Sequence, residues 1–439
     1  MKNSSVGAPR SPAAIALVAM AGASIEYYDF FIYATAATLV FPTHFFSRDL
    51  PPLIAQLAAF STFSVGFIAR PLGGVLFGHF GDLFGRRHAL SAALIMMGVA
   101  TTLVGVLPTY DVAGPFAVAL LVLLRFVQGL AVGGQWGGAA LLAIENAPAS
   151  RRGLYGSFVQ MGVPVGIVLA NGAFFLLDEV ISPAAFEAWG WRLPFLFSVV
   201  LIILGLYVKS RLRDSPGNPD KVGRNVPLQE AAQESPILVA LRDQGMTILL
   251  AGGAFIASSG CFYLVITYGV GYGVNHAHVG KSTMLLAIML ASVAMMPALA
   301  WFATLSDRFG RAGIYMLGAA ATGGISFALF PVIDTGSAVG ITLIMIASMG
   351  TAAMMYGPQA ALFAELFDRR IRYSGASIGY QIGSILGGGF APIIATALYS
   401  KFASTTAIAA YMAAMCAVSL ACTAALGRRG SIVASATIS

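Results

Sequence analysis

The sequence predicts an all-α membrane protein, with twelve transmembrane helices in two pseudo-symmetric six-helix bundles. Three observations predict it. Only 10% of the 439 residues are charged while 58% are hydrophobic, and mean hydropathy is +0.82; soluble domains carry about 25% charge. Apolar runs of about 20 residues, enough to cross about 30 Å of hydrocarbon, recur twelve times along the chain. The second half also repeats the first. "GHFGDLFGRRHAL" (78–90) is echoed by "ATLSDRFGRAGIY" (303–315), with Asp82/Asp307 and Gly85/Gly310 each 225 positions apart. "ENAPASRRGLYGS" (145–157) is echoed by "ELFDRRIRYSGAS" (365–377), with Glu145/Glu365, Arg152/Arg372 and Ser157/Ser377 offset by 220.

In chain order the first run, 12–41, contains "SIEYYDFFIY", which carries Glu26 and Asp29. An ionisable side chain at the bilayer centre costs about 2.5–3.5 kcal/mol on insertion scales, so these acids need partners or a task. The run continues past signal-peptide length without a convincing cleavage site, which reads as a retained helix. The next runs are 52–78 with Arg70, 88–108, 115–143 with Arg125, 153–177 and 190–208. A polar segment follows, mixing basic and acidic residues with prolines, and the second set runs 245–273, 282–305, 312–332, 338–363, 373–399 and 404–426. The expected division is 11–211 for one bundle, 212–243 for a cytoplasmic central loop and 244–427 for the other.

Nineteen Lys and Arg fall on the side of the two termini and four on the other, which by the positive-inside rule puts both termini in the cytoplasm of a multi-pass plasma-membrane protein. The net charge of +7 then belongs to loops facing the cytoplasm, with no nucleic-acid partner implied. Cys261, Cys416 and Cys422 lie in apolar runs without metal-ligand spacing. No cofactor or metal is expected, and no zinc-binding or nucleophilic motif suggests an enzyme. Homologous helix bundles of this kind are a transporter architecture, with a site near the midplane between halves that rock.

Gly78, Asp82, Gly85, Arg86 and Arg87 match the pattern G-x-x-x-D-x-x-G-R-[RK], and with it the chain resembles the major facilitator superfamily. "EYYDFFIYATAATLVFP", "FIARPLGG", "RFVQGLAVGGQWGGAALLAIENAP", "GWRLPF" and "SGASIGYQIGSILGGGFAPIIAT" resemble its metabolite:proton symporter branch, whose members include dicarboxylate, tricarboxylate, shikimate and proline/betaine permeases. Two departures stand out: Gln135 where members often have Glu, and Ala312 where a second basic residue is common. The resemblance implies a monomeric secondary transporter in the cell inner membrane, importing a small carboxylated metabolite or zwitterionic osmolyte with protons by alternating access. The alternative is a proton-driven antiporter exporting a drug or metabolite; "MGVPVGIVLANG" only partly approaches the element that such exporters carry.

Motif alignment implies that Asp29 and Arg125 form the proton-coupling pair, against the alternative of a static salt bridge. Glu26 is either a second proton site or a structural acid. Arg70 and Arg125 are the candidates for an anionic head group, because guanidinium binds carboxylate bidentately; Arg70 could instead snorkel or pair with Glu26 or Asp29. Tyr33, Gln128, Gln135, Tyr380 and Gln381 are candidate cavity residues. Asp82, Arg86 and Arg87 read as a latch on a short cytoplasmic turn, where the acid faces a helix N-terminus and a basic partner, with Glu145 and Arg152 as partners. Asp307, Arg308, Glu365 and Arg372 form its weaker second copy. "GSILGGG" (383–389) lacks the ending of a phosphate loop and reads as a packing or hinge element.

Overall fold

The computed structural model describes residues 12–84, 86–133, 151–211, 236–367 and 372–436. Twelve long helices follow one another: α1 (Pro12–Leu39), α2 (Pro52–Phe84), α3 (Arg86–Gly105), α4 (Pro115–Gly133), α5 (Arg152–Val180), α6 (Leu193–Arg211), α7 (Pro236–Tyr263, continued by a π turn Leu264–Tyr268 and Gly269–Asn275), α8 (Lys281–Phe309), α9 (Arg311–Asp334), α10 (Ala338–Glu365), α11 (Arg372–Gly383, a π turn Ser384–Gly389, then Ala391–Phe402) and α12 (Thr405–Ala436). Helices dominate because hydrocarbon offers no partners for backbone N–H and C=O groups, so each span must satisfy its own. Among the described residues nine helices are long and apolar enough to cross a membrane. The central loop expected at 212–243 falls largely outside the described residues, which resume at Pro236.

Packing partners repeat with an offset of six helices. α1 lies along α5 and α2 along α4; α7 lies along α11 and α8 along α10. α3 contacts α4 and α6, as α9 contacts α10 and α12. These are the two pseudo-symmetric six-helix bundles. The halves meet where α5 packs on α8 and α10, and where α2 packs on α11.

The outer surface is apolar, with Leu72, Val75, Ile95, Val99, Leu123, Val293 and Leu343 exposed. A patch this extensive marks contact with lipid rather than water. Polar residues are instead inside: Asp29, Arg70, Arg125, Gln128, Asn171, Gln359 and Gln381 are all buried. Glycine lets the helices of each half approach closely. A side chain at Gly73 would run into the Leu130 carbonyl, and one at Gly133 into that of Arg70, so α2 and α4 touch through their backbones. Small-residue contacts of this kind let transmembrane helices pack where no hydrophobic force draws them together.

One boundary differs from expectation. The turn expected between the second and third spans is shorter, because α2 continues to Phe84 and α3 starts at Arg86. Gly78 and Asp82 are therefore helical, since at the membrane edge an unbroken helix satisfies the backbone more fully than a turn.

Candidate functional site

The glycine seam between α2 and α4 brings two arginines near the axis of the molecule. Arg125 of α4 is 1% exposed and lies against Gly66 of α2, where any Cβ would meet its Nε at 2.6 Å. Its guanidinium sits over three rings: Tyr33 at 4.2 Å, Phe30 at 4.5 Å and Phe63 at 4.9 Å from the ring centroids. Arg70 of α2 sits over Phe67 at 4.2 Å and over the same Phe30 ring at 4.7 Å. Aromatic faces attract cations and shield them from lipid. They satisfy no N–H groups, however, and among the described residues Arg70 Nε, Arg125 Nε and Arg125 Nη2 have no hydrogen-bond partner. A buried, unpartnered charged donor is costly.

The remaining polar contacts of the two arginines diverge. Arg70 Nη1 donates at 3.1 Å to Ser384 Oγ on the π turn of α11, across the two halves. Arg125 Nη1 donates at 3.2 Å to Gln128 Oε1 one turn along its own helix. Gln128 Nε2 donates at 2.8 Å to Thr101 of α3. Asp29 is 2% exposed and accepts from Ser198 Oγ of α6 at 2.6 Å, while the Thr101 hydroxyl donates to the Met97 carbonyl of its own helix at 2.8 Å. Asp29 and Arg125, expected as a direct pair, therefore do not touch; the described residues form no ion pair between them. Arg125 is bonded to Gln128 and Asp29 to Ser198.

A cavity lies between the halves, lined by Glu26, Tyr27 and Phe30 of α1, Arg70 of α2, Val132 of α4 and Tyr380 and Gln381 of α11. Its volume is about 10 Å³, space for about one water molecule, so the halves are closed over it. Tyr380 stacks on Phe255 with centroids 4.4 Å apart, and among the described residues Gln381 Oε1 has no hydrogen-bond partner. Of the residues expected to meet substrate, Arg70, Tyr380 and Gln381 line it, and so does Glu26; Arg125 does not, because its guanidinium is enclosed by the Phe30, Tyr33 and Phe63 rings. Gln128 does not, because Thr101 holds its amide, and Tyr33 does not, because its hydroxyl donates to Thr62 Oγ1 at 2.8 Å and its ring carries Arg125. Gln135 lies outside the described residues.

Two further contacts pin α5 to α8 at opposite ends. At the end bearing the chain termini, Asp307 accepts from the backbone N–H groups of Gly153 at 3.0 Å and Leu154 at 3.3 Å, the first turn of α5. Those donors are orphaned at a helix start, and the positive end of the helix favours a carboxylate there. Arg311 bridges Asp307, at 3.4 Å, to Glu365 of α10. At the other end Lys281 pairs with Asp178 at 3.1 Å, and Ser282 Oγ lies 2.7 Å from Glu179. Arg308 is a correction: it is exposed, and Arg311 takes the place assigned to it. One residue along a helix turns about 100° away from Asp307, whereas four residues return to its face. Arg152 is exposed and opens α5. Gly85 and Glu145 lie outside the described residues, as do the surroundings of Gly78 and the side chains of Asp82, Arg86, Arg87 and Arg372.

Sequence reasoning missed Thr101, Ser198, Ser384, Phe30 and Arg311. The first four are residue types common in membrane helices and carry no signal alone. Arg311 did carry one: the 225-residue offset that matches Asp82 to Asp307 also matches Arg86 to Arg311.

Residues 19–387 match the family model described as Major Facilitator Superfamily. The chain is 39% identical over 413 residues to the inner membrane metabolite transport protein YhjE of Escherichia coli, covering 92% of each chain. It is 39% identical over 408 residues to the shikimate transporter of the same organism, again covering 92% of each. It is 30% identical over 405 residues to the E. coli proline/betaine transporter, covering 91% of this chain and 80% of that one. Among solved structures, the xylose transporter XylE from E. coli in a partially occluded inward-open conformation superposes with a TM-score of 0.70 at 19% identity, over 95% of this chain and 97% of that one. At that identity the likeness establishes the fold alone. Family match, relatives and fold agree: this chain is a membrane transporter of the Major Facilitator Superfamily.

Proposed function

We propose that the chain is a proton-coupled symporter that imports a small carboxylated metabolite by alternating access. The observation that carries this reading is the pair of buried arginines around Phe30, which leaves three charged N–H atoms unpartnered among the described residues. Carboxylate is the natural acceptor for such a fork. It is also the group shared by shikimate, proline and betaine, after which the relatives are named. Gln381 Oε1 supplies an acceptor on the other half for a hydroxyl or ammonium on the same substrate. A ligand touching Arg70 and Gln381 together ties α2 to α11, and so couples its binding to the relative position of the halves.

Asp29 carries the proton in this reading. It is buried with the neutral Ser198 hydroxyl as its donor and no cation bonded to it among the described residues, so no ion pair locks it in the ionised form. Glu26 lines the same cavity as Arg70. Asp307 with Arg311 and Glu365 latches the terminus-bearing end, which is the cytoplasmic one. The 78–87 signature with Glu145, Arg152 and Arg372 forms the matching latch, and the bundles divide at 211 and 244. The transporter works as a monomer in the plasma membrane, with substrate and proton as its partners.

Uptake by proteoliposomes of labelled shikimate, succinate, citrate, proline and glycine betaine, with and without an inward proton gradient, tests the reading. One carboxylate should accumulate, and a protonophore should abolish the accumulation. Efflux driven by substrate, or uptake indifferent to the gradient, would overturn symport. Asp29→Asn should lose accumulation while still catalysing counterflow; full accumulation by that variant would remove the proton from Asp29.

A further inference from the structure

The bond from Arg70 to Ser384 joins a cavity residue of one half to the backbone irregularity of the other. Arg70 is 4% exposed and Ser384 1%, and Arg70 Nη1 donates to Ser384 Oγ at 3.1 Å. Guanidinium is a planar fork of donors, in which Nε–H and Nη1 point from different edges. Nη1 is on Ser384, while Nε has no hydrogen-bond partner among the described residues. Arg70 lines the cavity together with Tyr380 and Gln381. Those two precede Ser384 by four and three residues, so all three share one face of α11.

The turn that carries Ser384 is held against α2 at both ends. Ser384 opens the π turn Ser384–Gly389. At its far end Ser64 Oγ of α2 lies 2.5 Å from the Gly389 carbonyl, closer than the 3.0 Å to the Phe60 carbonyl of its own helix. A Cβ at Gly389 would meet that of Phe67 at 3.2 Å, and the Phe67 ring is one of the two over which Arg70 sits.

We infer that Ser384 is a positioning residue, which fixes the Arg70 guanidinium for the substrate carboxylate only while α11 lies against α2. The inference rests on the reading of Arg70 as the carboxylate site. The Phe30 and Phe67 rings attract the guanidinium to their faces, but a ring face leaves it free to turn in its own plane. A hydrogen bond does not, because it weakens steeply when misaligned. With Nη1 fixed on Ser384 the Nε edge is fixed as well, and it can take a carboxylate without breaking the Ser384 bond. Movement of α11 away from α2 breaks that bond and lets the guanidinium turn. Binding must then bear the cost of ordering the side chain again. Affinity is therefore highest while the halves are closed and falls as they part, and a ligand with that difference in affinity favours closure.

Counterflow in proteoliposomes tests the assignment, with whichever of labelled shikimate, succinate, citrate, proline or glycine betaine the native carrier exchanges. Ser384→Ala should raise the KM about tenfold, the scale of one hydrogen bond to a charged group, and leave the maximal rate within about twofold of native. Ser384→Cys keeps the volume but offers only a weak acceptor, and should raise the KM to the same degree. In an Arg70→Gln carrier, Ser384→Ala should add nothing, since residues acting through one another are not additive. A native KM in Ser384→Ala overturns the inference. A rise in Ser384→Ala that Ser384→Cys does not share also overturns it, because lost volume would then be the cause. Additive effects in the double variant overturn it too, because Ser384 would then act apart from Arg70. A native KM in Arg70→Gln, or exchange of none of the five compounds, instead overturns the reading of Arg70 as the carboxylate site.

Discussion

Arg125 is held by packing more than by charge. Three aromatic faces and the bare backbone at Gly66 define its position, and one neutral amide is its only hydrogen-bonding partner among the described residues. Arg70 differs, because its Nη1 reaches Ser384 on the other half while its Nε waits beside the cavity. Arg70→Gln should therefore raise the KM for the carboxylate about ten- to a hundredfold, the worth of a charge-assisted hydrogen bond, with a smaller fall in maximal counterflow rate. Unchanged uptake kinetics would take Arg70 out of the site. Asp29, Glu26, Arg70 and Arg125 stood out in the sequence because an ionisable group in an apolar run is expensive and rarely idle. Their partners did not stand out. Ser and Thr hydroxyls commonly bond to their own helix, as Thr101 does to Met97, so nothing in the sequence distinguishes Thr101 or Ser198 from the others.

At the scale of the element, the helix seams decide where side chains can sit. A Cβ at Gly73 meets the Leu130 backbone, which has no rotamer by which to yield. Gly73→Ala should cost about 1–3 kcal/mol by overpacking and lower the Tm of the purified carrier, whereas Gly350→Ala on α10, with nothing within 4 Å of the added carbon, should leave it unchanged. Equal melting of the two variants would mean that the seam gives way. Long apolar runs made the spans legible, and among the described residues each run lies within a helix of the structure or overlaps it closely. The π turns were not legible, because an inserted residue leaves hydrophobic composition unchanged. "GSILGGG" (383–389) reads as a packing or hinge element, and it contains the π turn Ser384–Gly389, where Ser64 Oγ of α2 reaches the Gly389 carbonyl at 2.5 Å.

For the whole molecule, the two halves meet along α5–α8, α5–α10 and α2–α11, so a change in how they sit must break or shift those contacts. Asp307→Ala removes the cap on α5 and should favour opening at the terminus-bearing end. In a carrier whose native cysteines are replaced by serine, Ser157→Cys reports this: Ser157 is fully buried near that end. Its labelling by a maleimide should quicken on the order of tenfold, the scale of a lost hydrogen bond to a charge. An unchanged rate would mean that Asp307 does not hold that end closed. The internal repeat made the paired architecture readable from sequence, whereas the closed state of the cavity depends on contacts between halves that no periodicity encodes. The π turn of α11 adds one more possibility. Such a turn holds one residue more than an α turn, so its conversion to α geometry would rotate the helix beyond it by about 100° and advance it about 1.5 Å. Ser384 and Gly389 sit at the two ends of that turn, and both are bonded to α2. A single register step there would thus act as a ratchet, delivered directly to Arg70 without any hinge in the loops.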